Sequence, residues 1–148
     1  MNNTKDSRQL REMMRLLERK LGILEESEVA CCGITMAQCH ALVEVGRAKN
    51  ISLNELAELL NLKNSTMSRT VNNLVNSELV KRDIDPQDRR YITISLTESG
   101  TKIYEGIEES MNLYYKRVYD WIPEDKRGQV MESLQILLEA ISKNECCK

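Results

Sequence analysis

Apolar residues recur every three or four positions over much of the chain, which is the period of an amphipathic helix. Near the N-terminus this spacing runs from Lys5 to Leu24, and residues 25–33 lose it. The apolar positions of this first helix are Leu10, Met13, Met14, Leu17, Leu21 and Leu24. The spacing returns after Thr97, which can cap a long helix, and it continues in two stretches separated by Pro123, since proline cannot continue a helix. The pattern therefore predicts one helix at the start of the chain and two at its end.

Between these helices, two short polar sequences have the composition of helix N-termini. Thr35 is followed three residues later by Gln38, the spacing of a capping box, which predicts a helix ending near Arg47. Ser52 and Glu55 repeat this signal before a short apolar stretch. We therefore expect two short helices in this part of the chain.

A further helix should follow a tight connection at residues 61–63. Its start is predicted near Asn64 or Ser65, whose short polar side chains suit the N-cap position, and its end near Ser77. Its inward side carries Met67, Val71, Leu74 and Val75. The side chains left facing outward or to the flanks are Ser65, Thr66, Ser68, Arg69, Asn72 and Asn73.

The sequence then changes to the pattern of strands. Residues 79–84 favour a strand, and residues 91–96 alternate strictly between apolar and polar side chains. Between them, Asp85 and Pro86 favour a turn, because proline presets φ at the second turn position. The two strands are predicted to form a hairpin whose tip, PQDRR, carries two adjacent arginines.

This order of elements predicts a mainly α fold with a small β-hairpin. The middle section, residues 35–96, has the order of a winged helix-turn-helix, flanked by helices at residues 1–30 and 97–148. We expect a single domain over residues 1–148, since this is an ordinary domain length. A helix fits the major groove of DNA and a hairpin tip reaches the adjacent minor groove, so the predicted partner is double-stranded DNA.

Charge and side-chain chemistry agree with that partner. The net charge is −2, yet six basic and four acidic residues between Lys63 and Arg90 leave that segment positive. Hydroxyls and amides bond phosphates and base edges, and an arginine such as Arg69 can bond guanine bidentately. A solvated polar face is the alternative for such a helix taken alone. The capped helix before it and the basic hairpin after it favour DNA.

Residues 52–100, SLNELAELLNLKNSTMSRTVNNLVNSELVKRDIDPQDRRYITISLTESG, resemble the core of the multiple antibiotic resistance regulator (MarR) family. The likeness is most specific in the wing, where Asp88, one further residue and Arg90 precede an alternating strand that ends in Leu-Thr. The order of helices agrees over nearly the whole chain. One position differs, because Glu78 stands where the family usually has glycine after the recognition helix.

The resemblance implies a homodimeric transcriptional regulator whose first and last helices interlock, with a winged module on each side. It implies that Arg90 enters the minor groove, that Asp88 holds it extended and that Arg89 lies beside them on the backbone. It also places Ser65, Thr66, Ser68 and Arg69 on the recognition helix. Effectors of the family often bind between the dimer base and the winged module. We expect a repressor that is released from DNA by a small-molecule, thiol-reactive or metal effector.

Dimerisation also has support from the residues themselves. The outer helices carry more apolar surface than the winged module can cover, and two interlocked copies would bury it. A two-fold dimer predicts a pseudo-palindromic operator with half-sites about one helical turn apart. Packing of these helices within a monomer is the alternative.

The five cysteines are an odd number that fits a reducing compartment better than a framework of disulfides. Cys31 and Cys32 precede the predicted second helix, whose positive end favours thiolate chemistry. They are candidates for oxidation sensing or for binding a soft metal or metalloid. The candidate sensor thiols are Cys31, Cys32, Cys39, Cys146 and Cys147. Core filling by Cys39 is the alternative, and His40 beside it lacks the regular ligand spacing of a zinc site.

Other classes of protein find little support. The sequence lacks a Cys-x-x-Cys motif, a phosphate loop and a triad-like set with a second histidine, so we predict no enzyme activity, no resident metal and no cofactor. A thiol redox enzyme and a winged helix that binds another protein are the alternatives. No apolar run approaches the roughly 20 residues that span a bilayer, and the polar start lacks a secretory signal. We therefore expect a cytoplasmic protein without membrane contact.

Overall fold

The N-terminal helix is longer than the apolar spacing predicts. The computed structural model describes residues 3–88 and 90–144, without the side chains of residues 23–32. In it, α1 spans Asn3–Cys32 and ends before Gly33, which adopts a positive φ of 70°. The expected end near Leu24 is therefore wrong. Residues 25–32 are rich in glutamate and contain neither glycine nor proline, so nothing in them stops the helix before Gly33.

Both predicted N-caps of the next two helices are confirmed. Helix α2 spans Met36–Ala48, and the backbone N–H of Gln38 donates to Thr35 Oγ1 at 3.2 Å while the N–H of Thr35 donates to Gln38 Oε1 at 3.1 Å. Helix α3 spans Leu53–Leu59, with Ser52 Oγ accepting from the N–H of Glu55 at 3.1 Å. Each cap satisfies backbone groups that the first helical turn leaves without a partner inside the helix.

The sheet has three strands, one more than predicted. Strand β1 (Ile51–Ser52) and strand β2 (Val80–Ile84) pair antiparallel with opposite sides of β3 (Ile92–Leu96). The hairpin of β2 and β3 is as expected, whereas β1 was missed. A strand of two residues is too short to show alternation, and its second residue also caps α3.

Helix α4 spans Asn64–Asn76, so its predicted end is confirmed, but its start lacks the expected side-chain cap. Lys63 occupies the N-cap position and makes no side-chain cap hydrogen bond. The side chain of Asn64 instead donates from Nδ2 to Asn54 Oδ1 in α3 at 2.9 Å. This contact joins the two helices of the helix-turn-helix rather than closing the end of one of them.

The core lies where α2, α3, α4 and the sheet meet. Its largest fully buried side chains are Leu42, Val45, Leu56, Met67, Val71, Leu74 and Ile94. All four elements contribute, so the apolar stripe of each short helix is covered by its neighbours. The predicted fold class, mainly α with a small sheet in a winged helix-turn-helix, is confirmed.

Helix α5 spans Glu98–Trp121 and starts at the cap predicted for Thr97, whose Oγ1 accepts from the N–H of Gly100 at 3.1 Å. A single 3-10 turn, Glu124–Lys126, separates it from α6, which spans Arg127–Lys143. The chain divides into two compact units, Met1–Ile107 and Glu108–Lys148, and α5 contributes residues to both. None of the helices within the described residues has both the length and the apolar character needed to span a membrane.

Candidate nucleic-acid interface

The turn between α3 and α4 is closed by backbone hydrogen bonds. The N–H of Asn61 donates to Glu58 O at 3.1 Å and the N–H of Leu62 donates to Ala57 O at 2.8 Å. Asn61 lies between these bonds with a φ of 56°, which makes the end of α3 a Schellman motif. Asparagine tolerates this left-handed conformation better than most residues do. The motif allows α4 to begin only a few residues after α3 ends, which is the connection a helix-turn-helix requires.

The outward face of α4 is polar and contains no carboxylate. Met67, Thr70, Val71 and Leu74 are buried against the core. Of the six outward positions predicted from the sequence, five are exposed and Ser68 is half-buried. The exposed five are Ser65, Thr66, Arg69, Asn72 and Asn73. This face therefore offers hydroxyls, amides and one guanidinium to a ligand that accepts hydrogen bonds.

The hairpin between β2 and β3 ends in a loop held by its own aspartates. The N–H of Asp85 donates to Tyr91 O at 2.9 Å, and the N–H of Tyr91 donates to Asp88 O at 3.0 Å. Asp85 Oδ1 accepts from the N–H of Gln87 at 2.9 Å, which is the Asx-turn geometry expected of an Asp-Pro turn. These bonds hold the described residues of the loop relative to the two strands.

Arg90 projects from this loop, and Asp88 accepts hydrogen bonds from its backbone and from its side chain. Asp88 Oδ1 accepts from the N–H of Arg90 at 3.1 Å and from its Nε at 3.3 Å, which is the contact that the family resemblance implies. The Arg90 side chain is 90% exposed and that of Asp88 is 35% exposed. An exposed ion pair of this kind contributes at most about 1 kcal/mol to stability, so its main effect is on the direction of the arginine. Arg89 lies outside the described residues.

Sequence reasoning missed Arg82, which lies in β2 and contacts α4. Its Nη2 donates to Asn72 Oδ1 in α4. The alternation of side chains along the strand could have indicated this position. Arg82 is two residues after the buried Val80 and pairs with Ile94, so it lies on the same face of the sheet as these two residues. A cleft of about 290 Å³ lies beside this contact, between α3, α4 and the sheet. Its lining residues are Leu53, Ser68, Asn72, Arg82, Ile92 and Ile94.

A second cleft, of about 250 Å³, lies where the end of α2, strand β3 and the start of α5 meet. Tyr104 lies against Gly46 there, so closely that a Cβ on Gly46 would be 2.6 Å from the tyrosine ring. Lys49 and Glu105 bring opposite charges to the lining. The lining is thus part apolar and part charged, as in clefts that take small molecules.

The cysteines are placed differently from the expectation. Cys31 and Cys32 are the last two residues of α1, so the argument from the positive end of a helix does not apply to them. Cys39 is half-buried in α2, and Cys146 and Cys147 lie outside the described residues. Thiol sensing stays a prediction. Among the residues that the structure describes, no three His, Cys, Asp or Glu side chains are grouped closely enough to hold a metal ion.

Comparison with known proteins agrees with this architecture. The model of the MarR family matches residues 34–92. A relative from Bacillus subtilis (strain 168), the uncharacterized HTH-type transcriptional regulator YfiV, is 28% identical over 120 residues, which cover 81% of this chain and 75% of that protein. The HTH-type transcriptional repressor MdtR of the same organism is 25% identical over 113 residues, or 76% of this chain and 73% of that protein. Such regulators are not enzymes, and the prediction of no enzyme activity is confirmed.

Solved structures show the same fold. FabT of Streptococcus pneumoniae, in complex with DNA, superposes with a TM-score of 0.80 at 20% identity, covering 90% of this chain and 97% of that one. The MepR–DNA complex of S. aureus gives a TM-score of 0.74 at 23% identity, covering 88% and 96%. A MarR transcriptional regulator of Methanosarcina mazei Go1 gives 0.75 at 24% identity, covering 90% and 96%.

Proposed function

We propose that the chain, whose residues 34–92 match the MarR family of transcriptional regulators, binds a specific double-stranded DNA operator as a homodimer and represses transcription. The observation that carries this proposal is the polar face of α4, free of carboxylates, beside a wing that exposes Arg90. FabT and MepR, which share the fold, were solved in complex with DNA, and MdtR is named as a repressor.

In this proposal, α4 lies in the major groove and the wing reaches the minor groove. Its DNA-contacting residues on α4 are Ser65, Thr66, Ser68, Arg69, Asn72 and Asn73. Short hydroxyls and amides make contacts to phosphates and base edges, and Arg69 has the donors for guanine. At the wing tip, Arg90 enters the minor groove, where a narrow A·T-rich step concentrates negative potential, while Asp88 directs it and Arg89 lies along the backbone.

The homodimer is supported by the apolar surface of the outer helices. Among the described residues, α6 has none that is buried, although it carries Leu134, Ile136, Leu138 and Ile141 on its exposed surface. Leu10, Met13, Leu16 and Leu17 of α1 are also exposed. Apolar surface of this extent is costly in water, and a second copy of the chain would cover it. Two-fold symmetry then pairs two recognition helices with the two halves of a pseudo-palindromic operator.

Release from the operator is the remaining part of the proposal. The cleft of about 250 Å³ beside Tyr104 has room for a small-molecule effector, and its lining offers such a molecule apolar contacts together with the charges of Lys49 and Glu105. A thiol-reactive or metal effector acting at the cysteines is the second route. Because a regulator of this kind works where the DNA is, the proposal includes a cytoplasmic location.

The test of the proposal is the Arg90→Ala variant, measured by operator binding at several salt concentrations. We expect binding to weaken by about tenfold or more with folding intact, because Arg90 is an exposed minor-groove contact. Arg47→Ala is the matched control: Arg47 is also exposed and holds a similar ion pair, 3.3 Å from Glu44, but lies on α2 outside the proposed DNA surface.

Two outcomes would contradict the proposal. Wild-type affinity in Arg90→Ala would refute the role of the wing. A wild-type protein that binds no DNA, or that binds it without a loss of affinity as salt rises, would favour a winged helix that binds another protein, since each neutralised phosphate contributes about −0.9 to the log–log salt slope.

A further inference from the structure

Arg82 is held beside the recognition helix although it belongs to the wing. The register of the hairpin pairs Arg82 with Ile94, which places its side chain on the sheet face that is covered by α4. There its Nη2 donates to Asn72 Oδ1. The guanidinium therefore lies between two elements that the proposed function assigns to neighbouring grooves of one duplex.

This contact fixes what Asn72 can offer to a ligand. A guanidinium has only donors, so the amide of Asn72 must turn its oxygen toward Arg82. Its Nδ2, with two hydrogens, then points away from Arg82. An asparagine that reads adenine uses its oxygen and its nitrogen together, whereas Asn72 has committed its oxygen to a neighbour and presents donors.

The charge of Arg82 is not cancelled by this partner. Asn72 is neutral, whereas the arginine at the wing tip, Arg90, is paired with the carboxylate of Asp88. Arg82 and Asn72 are both exposed, and the half-buried Ser68 lines the same cleft of about 290 Å³. The polar side of that cleft thus consists of a cation, an amide turned with its donors outward and a hydroxyl.

The cleft also has a definite place relative to a duplex. When a helix lies in a major groove and a hairpin enters the adjacent minor groove, the sugar-phosphate strand that separates the two grooves passes between them. Phosphate oxygens only accept hydrogen bonds, whereas base edges mix donors and acceptors. We propose that Arg82, Asn72 and Ser68 form a phosphate-binding site for the DNA strand between the two grooves, an inference that rests on the proposed function.

The first experiment compares the salt dependence of operator binding in Arg82→Gln and Lys81→Gln. Lys81 is the matched control, because it is an exposed cation on the same strand, pairs with Ser95 and projects from the opposite face. Arg82→Gln should flatten the log–log salt slope by about 0.9 for each copy bound. Its loss of operator affinity relative to wild type should therefore become about threefold smaller per copy when the salt concentration rises fourfold. Lys81→Gln should keep the wild-type slope.

The second experiment identifies the DNA group. Neutral methylphosphonate is placed at one backbone position at a time in the operator, and binding is measured with wild type and with Arg82→Gln. We expect one position in each half-site at which the modification weakens wild type but has little further effect on Arg82→Gln. Arg82→Gln should weaken binding to the same extent for the operator and for every operator variant with one base changed, since a phosphate carries no sequence information.

The outcomes separate this site from the proposed function. A wild-type protein that binds its operator, together with an Arg82→Gln variant that keeps the full salt slope, refutes the phosphate site alone. A change of base preference at one operator position in Arg82→Gln also refutes it, because the group would then read a base. Wild type that ignores DNA altogether refutes the proposed function and the site with it.

Discussion

Glu78 adopts a left-handed backbone conformation that glycine would adopt more easily. It follows α4 with a φ of 62°, and the surrounding hydrogen bonds form a Schellman motif. The N–H of Glu78 donates to Val75 O at 2.9 Å, and the N–H of Leu79 donates to Leu74 O at 3.0 Å. The carbonyl of Glu78 also accepts from Thr97 Oγ1 at 2.6 Å. The chain therefore accepts the strained conformation rather than avoiding it, and Glu78→Gly should stabilise the protein.

The magnitude follows from two opposing terms. A left-handed residue with a Cβ costs roughly 1–2 kcal/mol, and glycine removes this cost. Glycine also adds freedom to the unfolded chain, which costs about 0.4–1 kcal/mol on folding. The Glu78 side chain is exposed, so its loss removes no buried contact. The net expectation for Glu78→Gly is a gain of about 0.5–1 kcal/mol in the free energy of unfolding.

The assay is urea unfolding at one fixed protein concentration, since association would couple to stability. Glu78→Ala is the control that removes the side chain but keeps the Cβ, and it should unfold like wild type. Asn61→Gly is an internal comparison, because Asn61 holds the equivalent position after α3 with a φ of 56° and already tolerates it. Its gain should be smaller than that of Glu78→Gly. If Glu78→Gly is no more stable than Glu78→Ala, backbone strain is not what limits this turn.

Two further predictions concern packing and redox chemistry. Gly100→Ala should lower the free energy of unfolding by about 1–3 kcal/mol in urea unfolding, because a Cβ there would be 1.9 Å from Leu79 O; Gly106→Ala, on the same helix with nothing within 4 Å, should be neutral or stabilising. Peroxide treatment of the reduced protein should weaken operator binding, and the double variant Cys31→Ser plus Cys32→Ser should abolish that response. Equal stability of the two alanine variants would refute the packing argument, and an unchanged peroxide response in the double variant would remove the thiol hypothesis.

The sequence predicted those features whose cause is local. Thr35, Ser52 and Thr97 each accept a hydrogen bond from a backbone N–H three residues later, and each was recognised from residue type and spacing. Strand β3 was recognised for the same reason, because alternation over several residues is visible without any partner.

Features that depend on distant partners were missed. Strand β1 exists only because Ile51 and Ser52 pair with Ile94 and Thr93, far along the chain. The side-chain cap predicted for α4 was wrong for a similar reason. Asn64 suits an N-cap by type, but its side chain donates a hydrogen bond to Asn54 of α3. The extension of α1 to Cys32 shows the converse, since a change of apolar spacing alters which face is apolar without ending the helix.

The candidate site shows the same division between local and distant causes. Asn72 and Asn73 are neighbours of the same type on the outward side of α4, so the sequence alone predicts the same role for both. The fold distinguishes them, because the register of β2 against β3 brings Arg82 to Asn72 and commits its amide oxygen. A one-residue shift of that register would carry Arg82 to the opposite face and bring Lys81 or Asp83 to this one. The chemistry that α4 offers to a duplex is therefore determined in part by strand pairing outside the helix.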